Sequence, residues 1–223
     1  MYFLIDESLK IIFGWNAKCG CSHIKKIFWY LKTNNENSVI HTPSDYNDLP
    51  NNIEAYIIII ISRNPYNRLI SGFLDKYKEC GEYRHLWKHE TITFSQFVEE
   101  LVKNEWIMID YHHFTPQTTE YFNKDIIYKS KLVKVYDINN IDYNYIQELY
   151  NKKIPDNLLK FRGGHERNIY SKTFDKYVYE LDMSVYCNYN VDIKYFFNDI
   201  LQKKIYDYYY NDFMFFRECQ IYY

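Results

Sequence analysis

The longest apolar run of the chain, YIIIII at residues 56–61, places the strongest constraint on its fold. An unbroken apolar run of this length predicts a strand that is buried on both faces, and it is far too short to cross a membrane. The next residues predict a helix, because Asn64 can cap it, Pro65 suits its first position, and apolar residues then recur at helical spacing. The sequence therefore predicts a buried strand, a turn and a helix, in that order.

The same order of elements is predicted nearer the start of the chain. Residues 9–15, LKIIFGW, predict a strand that ends at Asn16, and apolar residues from Ile24 onward predict a helix with Ser22 as its N-cap. Two such units predict an α/β, P-loop-like, three-layer fold, in which helices flank a central parallel sheet and a ligand lies at the carboxyl ends of the strands. Because no linker clearly divides the chain, we expect a single domain over residues 1–223.

Four further segments have recognisable patterns. Thr93 and Gln96 have the spacing of a capping box before an amphipathic helix, and residues 131–138 alternate as a strand does. Residues 192–216 predict one long terminal helix, whereas the polar, turn-rich residues 33–52 predict a surface loop.

Composition and charge exclude several classes of function. The 223 residues carry a formal net charge of -2, so no overall basic field attracts nucleic acid or an anionic membrane. The five cysteines are an odd number scattered along a long chain, which favours reduced thiols over a disulfide framework. The first residues, MYFLIDESLK, lack the features of a signal peptide, and we expect a soluble protein that stays in the cytoplasm.

The first predicted turn, in the segment NAKCGCSHIKKIF, has the features of an anion-binding loop. A tight glycine turn that opens a helix presents several backbone N–H groups to one point, where the helix dipole adds positive potential. Gly20 allows a close approach to a phosphate, Ser22 can donate from its hydroxyl, and Lys18 can reach across the loop as a point charge.

Other interpretations of this turn remain open. An ATP-type P-loop needs two glycines and then Lys-Ser or Lys-Thr, but here the lysine precedes a single glycine. A metal site would use Cys19, Cys21 and His23, but no second cysteine pair follows at the spacing typical of zinc ligands, and we expect no metal. A turn that starts a helix without binding any ligand is the third interpretation.

The second predicted turn offers a second phosphate site. Arg63 leaves the end of the buried strand, and Arg68 and Ser71 lie three residues apart on one face of the following helix. The guanidinium fork of arginine fits phosphate oxygens with two hydrogen bonds. One nucleotide with phosphates at both ends would span the two turns.

These segments resemble the two nucleotide-binding motifs of sulfotransferases that use 3′-phosphoadenosine 5′-phosphosulfate (PAPS), and in particular the carbohydrate-sulfotransferase-like branch. The resemblance implies that the first loop holds the 5′-phosphosulfate and that the segment from Arg63 holds the 3′-phosphate through Arg63, Arg68 and Ser71. The implied residues of the first loop are Lys18, Cys19, Gly20, Cys21, Ser22 and His23. The family usually has Pro where Ala17 stands and Asp where Asn64 stands.

Weaker similarities extend the match. The segments FSQFVEEL, HFTPQ and YYYNDFMFF resemble family patterns, whereas residues 126–189 match poorly. The loop KFRGGHERNIYSK is either a surface turn or a basic loop that closes over the nucleotide, with Arg167 as a contact.

Sulfuryl transfer needs charge stabilisation and a base for the acceptor hydroxyl. Lys18 is the expected stabiliser. Four histidines are candidate bases, and we favour His113 because it lies in the HFTPQ segment that resembles the family. His41, in the long loop after the first helix, is the second choice, ahead of His112 and His23.

The resulting hypothesis is an enzyme that transfers a sulfuryl group from PAPS to a hydroxyl acceptor and releases the desulfated nucleotide PAP, without a metal. The family branch implies a glycan acceptor, and the lack of an anchor favours a cytoplasmic enzyme of microbial or viral origin. The alternatives are a P-loop-like small-molecule kinase, which lacks its magnesium-binding aspartate in the segment IISRN, and an inactive nucleotide-binding module. The sequence does not indicate an oligomeric state.

Overall fold

The structure is a computed structural model that describes residues 1–78, 81–103, 109–118, 124–161 and 170–223. The described residues form two compact units. The first draws on the described residues within Met1–Arg63, within 117–166 and within Phe215–Tyr223, and the second on those within Asn64–Pro116 and within 167–214. The single domain over residues 1–223 stays a prediction.

The regular elements have the following bounds. The strands are β1 (Tyr2–Asp6), β2 (Ile11–Trp15), β3 (Ile57–Ser62), β4 (Leu132–Asp137), β5 (Thr173–Phe174) and β6 (Asn190–Val191). The helices are α1 (Cys21–Thr33), α2 (Pro65–Lys76), α3 (Phe94–Lys103), α4 (Tyr111–Phe114), α5 (Lys124–Ile127), α6 (Tyr143–Tyr150), α7 (Asp156–Lys160), α8 (Met183–Tyr186), α9 (Asp199–Tyr208) and α10 (Tyr210–Glu218). Short 3-10 turns cover Pro43–Asp45, Ile53–Ala55, Arg84–Leu86 and Ile193–Phe196.

The first unit contains a four-stranded sheet in the order β1-β2-β3-β4. The pairs β2–β3 and β3–β4 are parallel, which confirms the predicted central sheet. The strand β1, which the sequence analysis did not predict, pairs antiparallel to β2 and makes the sheet mixed. Because β2 and β3 run side by side in the same direction, both carboxyl ends reach the same edge of the sheet.

Apolar residues cover both faces of this sheet and produce the three layers. Phe13 and Ile59 belong to a buried cluster with residues of α1 and α6, whereas Ile58 and Ile60 belong to a second cluster with residues of α5 and α10. Alternate residues of a strand point to opposite faces, so β3 has to be apolar throughout. This confirms the α/β class with helices on a central sheet.

The helix starts test the predicted caps. The side chain of Asn64 accepts hydrogen bonds from the backbone N–H groups of Tyr66 and Asn67, as predicted for α2. The prediction that Ser22 caps α1 is wrong, because the helix begins at Cys21 and its N-cap is Gly20 in the left-handed conformation. A glycine adopts that conformation without steric cost, so the turn itself starts the helix.

The predicted surface loop at residues 33–52 is only partly correct. It contains the 3-10 turn Pro43–Asp45, whose N-cap Thr42 and third residue Asp45 form a capping box. Asp45 is fully buried, unlike most of its neighbours. A carboxylate in the protein interior needs hydrogen bonds and a positive partner, so this segment carries an internal polar cluster.

The second unit is mainly helical around an aromatic core. Its centre includes Phe73, Phe94 and Phe97, whose rings contact each other with centroids 5.0 to 6.3 Å apart. The predicted capping box of α3 is confirmed, since Thr93 Oγ1 accepts from the Gln96 N–H and Gln96 Oε1 accepts from the Thr93 N–H. The strands β5 and β6 form a separate parallel pair.

The single long helix predicted for residues 192–216 is wrong. The segment divides into the 3-10 turn Ile193–Phe196 and the helices α9 and α10. The side chains of Asp192 and Asn198 each cap a new start, and the hydroxyl of Tyr209, between α9 and α10, donates to the Phe114 carbonyl. The spacing of apolar residues does not depend on these local polar hydrogen bonds, so it could not predict the breaks in the helix.

Among the residues that the structure describes, every helix is too short or too polar to cross a membrane.

The capping box of α3 gives a test of the second unit. The substitution Thr93→Val keeps the side-chain shape but removes the acceptor for the Gln96 N–H, so the free energy of unfolding should fall by about 1 kcal/mol. Urea denaturation followed by circular dichroism measures the change, with Thr173→Val on the exposed strand β5 as control. Equal stability of both variants would contradict the role of the cap.

Candidate functional site

The loop between β2 and α1 has an unusual backbone. Lys18 and Gly20 both adopt positive φ angles, of 65° and 70°. The N–H of Cys19 donates to the Asn16 carbonyl at 3.2 Å, which closes the loop as a tight turn. A positive φ is uncommon for a lysine, and such conformations concentrate at functional sites.

This turn presents hydrogen-bond donors at the start of α1. The first N–H groups of a helix have no acceptor within the helix, and the helix dipole makes this end positive. In the described part of the chain, the buried Nδ2 of Asn16 also has no hydrogen-bond acceptor. An unsatisfied buried donor beside a turn with free helix N–H groups fits an anionic ligand.

Gly20 is required by its surroundings as well as by its backbone. A Cβ atom built at this position would lie 2.5 Å from Ile138 Cδ1, just after β4. The turn therefore packs closely on the residue that follows β4, and the methyl group of an alanine would displace either the turn or the Ile138 side chain.

Arg63, the first residue after β3, contacts this turn directly. Its Nη1 donates to the Lys18 carbonyl at 2.9 Å. The first turn and Arg63, the first residue of the second motif, are therefore adjacent within the first unit, at the carboxyl ends of two parallel strands. If Lys18 and Arg63 opened onto different faces, no single nucleotide could contact both.

A residue without a predicted role, Gln117, holds the two turns together. Its Oε1 accepts from Cys19 Sγ at 3.0 Å and from the Arg63 N–H at 3.1 Å, and its Nε2 donates to the Arg63 carbonyl at 2.8 Å. The side chain is fully buried. The only sequence signal was its place at the end of the HFTPQ segment.

A polar cluster lies beside Ser22 and consists of the buried Lys25 and Asp45 and the exposed His41. Lys25 Nζ lies 3.4 Å from Asp45 Oδ2 and 3.3 Å from His41 Nδ1, and His41 Nε2 lies 3.3 Å from Ser22 Oγ. The side chains of Lys25 and Asp45 are fully buried. Burial lowers the pKa of the Lys25 ammonium from its ordinary value, and the Asp45 carboxylate opposes this shift.

His23 is held in place by two partners. Its Nδ1 donates to the Phe161 carbonyl at 2.8 Å, and its Nε2 lies 2.7 Å from the Tyr143 hydroxyl. With both ring nitrogens engaged, this histidine fits a structural role next to the loop better than that of a base.

In the second unit, Arg68 and Ser71 lie on α2 as predicted. Arg68 is only 1 % exposed, and its Nη1 donates to the Thr115 carbonyl at 2.6 Å. One donor of this guanidinium therefore supports the chain after α4, whereas Ser71 is half-buried.

The favoured base, His113, lies on α4 and forms a pair with Asp110. Its Nδ1 donates to Asp110 Oδ2, so that in the neutral ring Nε2 carries the lone pair. Desolvation, the largest contribution, acts to raise the pKa of the Asp110 carboxyl, but the hydrogen bonds and charges of His113 and His112 together outweigh it and lower that pKa below its ordinary value.

Two further expectations concern Arg167 and metal binding. Arg167 lies outside the described residues. In the ranges that are described, no three His, Cys, Asp or Glu side chains are placed to hold a metal ion.

Comparison with known protein families identifies the chain. A family model described as "Sulfotransferase family" matches residues 1–217 and so includes both turns. The chain belongs to the sulfotransferase family. This confirms the family inferred from the two motifs, and the protein is a sulfotransferase enzyme. No curated protein and no solved structure matches the sequence significantly.

The glycine turn gives a test of this sulfotransferase. Gly20→Ala combines left-handed strain with the contact to Ile138 and should lower the free energy of unfolding by roughly 2–4 kcal/mol. Adding Ile138→Val removes Cδ1, so the double variant should recover the steric part and keep only the backbone strain, about 1–2 kcal/mol.

Urea unfolding measures both changes, with Ile138→Val alone as control. A stable Gly20→Ala variant, or no recovery in the double variant, would contradict the close packing of the turn.

Proposed function

We propose that this sulfotransferase transfers the sulfuryl group of PAPS to a hydroxyl acceptor, most suitably a carbohydrate. The observation that supports this proposal is the hydrogen bond from Arg63 to the Lys18 carbonyl, which joins the first turn to the first residue of the second motif within one unit. PAPS has an anionic group at each end of its ribose, and two adjacent anion-binding turns suit such a ligand.

The first turn would hold the 5′-phosphosulfate. The fit rests on the left-handed Gly20, the unsatisfied Nδ2 of Asn16 and the start of α1. These features supply donors without a bulky side chain. Ser22 adds a hydroxyl, while Cys19, Cys21 and His23 shape the loop around it.

The second turn would contact the 3′-phosphate through Arg63. Gln117 fixes the backbone of Arg63 on both sides, so its guanidinium starts from a constrained position. Arg68 and Ser71 stay sequence-based predictions for this phosphate, and Arg167 stays a prediction for the nucleotide.

In the proposed reaction, PAPS supplies an activated sulfuryl group. The acceptor oxygen forms a bond to sulfur while the bond from sulfur to the phosphate oxygen breaks, and the acceptor proton passes to a base. Lys18 would stabilise the negative charge on the departing phosphate oxygen. His113 would receive the proton at Nε2, with Asp110 holding its Nδ1–H.

The proposal also includes the acceptor and the location of the enzyme. A glycan acceptor depends on the resemblance to the carbohydrate branch, which is compatible with the family match. The cytoplasmic location and the microbial or viral origin stay predictions.

The donor can be tested by nucleotide binding. Isothermal titration calorimetry should show that the protein binds PAP more tightly than adenosine 5′-phosphate, because only PAP carries the 3′-phosphate. In Arg63→Ala this preference should fall by roughly 10- to 100-fold, the effect of losing hydrogen bonds to a charged group. The control is Arg217→Ala, on the exposed side of α10. Equal binding of both nucleotides by the unmodified protein would contradict the proposed donor.

The base can be tested by turnover. A panel of glycans, phenols and peptides with sulfur-labelled PAPS identifies an acceptor, and with it His113→Ala should lower kcat by roughly 10²- to 10⁴-fold. Asp110→Asn should lower kcat in the same direction, because the Asn amide no longer favours the Nδ1–H form. PAP affinity should not change in either variant, and His112→Ala serves as control. Normal turnover of His113→Ala would remove it from this role.

A further inference from the structure

The polar cluster of Lys25, Asp45 and His41 beside the first turn suggests a role for His41 other than that of a base. We propose that Lys25, Asp45 and His41 form a positioning relay that orients the Ser22 hydroxyl toward the 5′-phosphate of the donor. This inference rests on the proposed function, since it assigns a task within the PAPS site.

The relay begins with the Lys25 ammonium, which has three N–H donors and no acceptor. Its three nearest partners are Asp45 Oδ2 at 3.4 Å, His41 Nδ1 at 3.3 Å and the face of the Trp15 ring, whose centroid lies 3.5 Å from Nζ. A carboxylate, a ring nitrogen and an aromatic face all attract a positive donor. The charge is therefore fixed in place although it is fully buried.

The position of Lys25 decides the tautomer of His41. Because an ammonium only donates, His41 Nδ1 accepts, and the ring proton of the neutral imidazole is on Nε2. Nε2–H then donates to Ser22 Oγ, which lies 3.3 Å away. The Ser22 oxygen is thus used as an acceptor, and its own hydrogen is left to point at another acceptor.

Asp45 fixes the backbone around His41 and also pairs with the Lys25 ammonium. Its Oδ2 accepts from the N–H groups of His41 at 2.6 Å and Thr42 at 3.1 Å, and its Oδ1 accepts from Trp29 Nε1 at 2.8 Å. His41 itself has a φ of 64°, an uncommon conformation for a non-glycine residue. Asp45 is thus buried against Lys25 of α1, although the loop that carries it is otherwise largely exposed.

The arrangement connects this loop to the anion-binding turn. Ser22 is the second residue of α1, two positions after the Gly20 N-cap, so its hydroxyl and the first N–H groups of the helix lie at the same end. A donor whose hydrogen is already aligned loses less entropy when it binds a phosphate oxygen. His41 therefore acts through Ser22 and is a positioning residue.

A double-mutant cycle on PAP affinity tests this relay. His41→Leu and Ser22→Ala should each weaken PAP binding by about tenfold, the effect of one hydrogen bond to a charged group. If His41 acts through Ser22, the double variant should bind PAP no more weakly than Ser22→Ala alone. Losses that multiply, or a His41→Leu variant with unchanged affinity, would overturn the relay.

A conservative variant separates this role from a structural one. In His41→Gln the side-chain amide can still donate to Ser22. Both His41→Gln and His41→Leu keep a non-glycine residue at the same positive φ, so this backbone feature does not differ between the two variants. Gln should therefore restore most of the affinity that Leu loses. Equal losses in the two variants would show a structural effect of the histidine instead.

The unmodified protein provides a measurement that does not depend on variant folding. The ¹⁵N chemical shifts of the His41 ring should show the neutral tautomer with the proton on Nε2, and a proton on Nδ1 would overturn the relay. If the unmodified protein does not bind PAP at all, the proposed donor fails together with the relay. PAP binding with independent effects of His41 and Ser22 overturns the relay alone.

Discussion

The hydrogen bond between the Arg63 side chain and the Lys18 carbonyl is the contact on which the candidate site depends. It is possible because β2 and β3 are parallel neighbours, so that the turns after them emerge at one edge of the sheet. Gln117 then bonds both turns with one amide. Since each bond is short and the amide is buried, a shift of either turn would leave polar groups unsatisfied.

The polar groups around the first turn are organised in two layers. Backbone N–H groups and the left-handed Gly20 form the surface that an anion would approach. Behind them lies the buried charge of Lys25, balanced by Asp45 and linked to the surface through His41 and Ser22. Burying an ion pair is costly, so this pair fits the proposed positioning function better than a contribution to stability.

Much of the fold could be predicted from local patterns. The run at residues 56–61 predicted β3, and Asn64 with Pro65 predicted the start of α2, because strand burial and helix capping depend on neighbouring residues. The strand β1 was not predicted, since its stability comes from pairing with β2. The break at Tyr209 was also missed, because the periodicity of apolar residues continues across it while the polar bonds that divide the segment do not appear in that pattern.

The sequence alone determined the family of this sulfotransferase, because motif spacing within a strand, turn and helix is a local property. It identified the lysine–glycine turn, the arginine turn and the family, which the family model then matched. Only the tertiary structure decided which distant residues meet: Arg63 with Lys18, Gln117 with Cys19, and Lys25 with Asp45. These contacts join residues that lie 20 to almost 100 positions apart, and local spacing carries no information about such pairs.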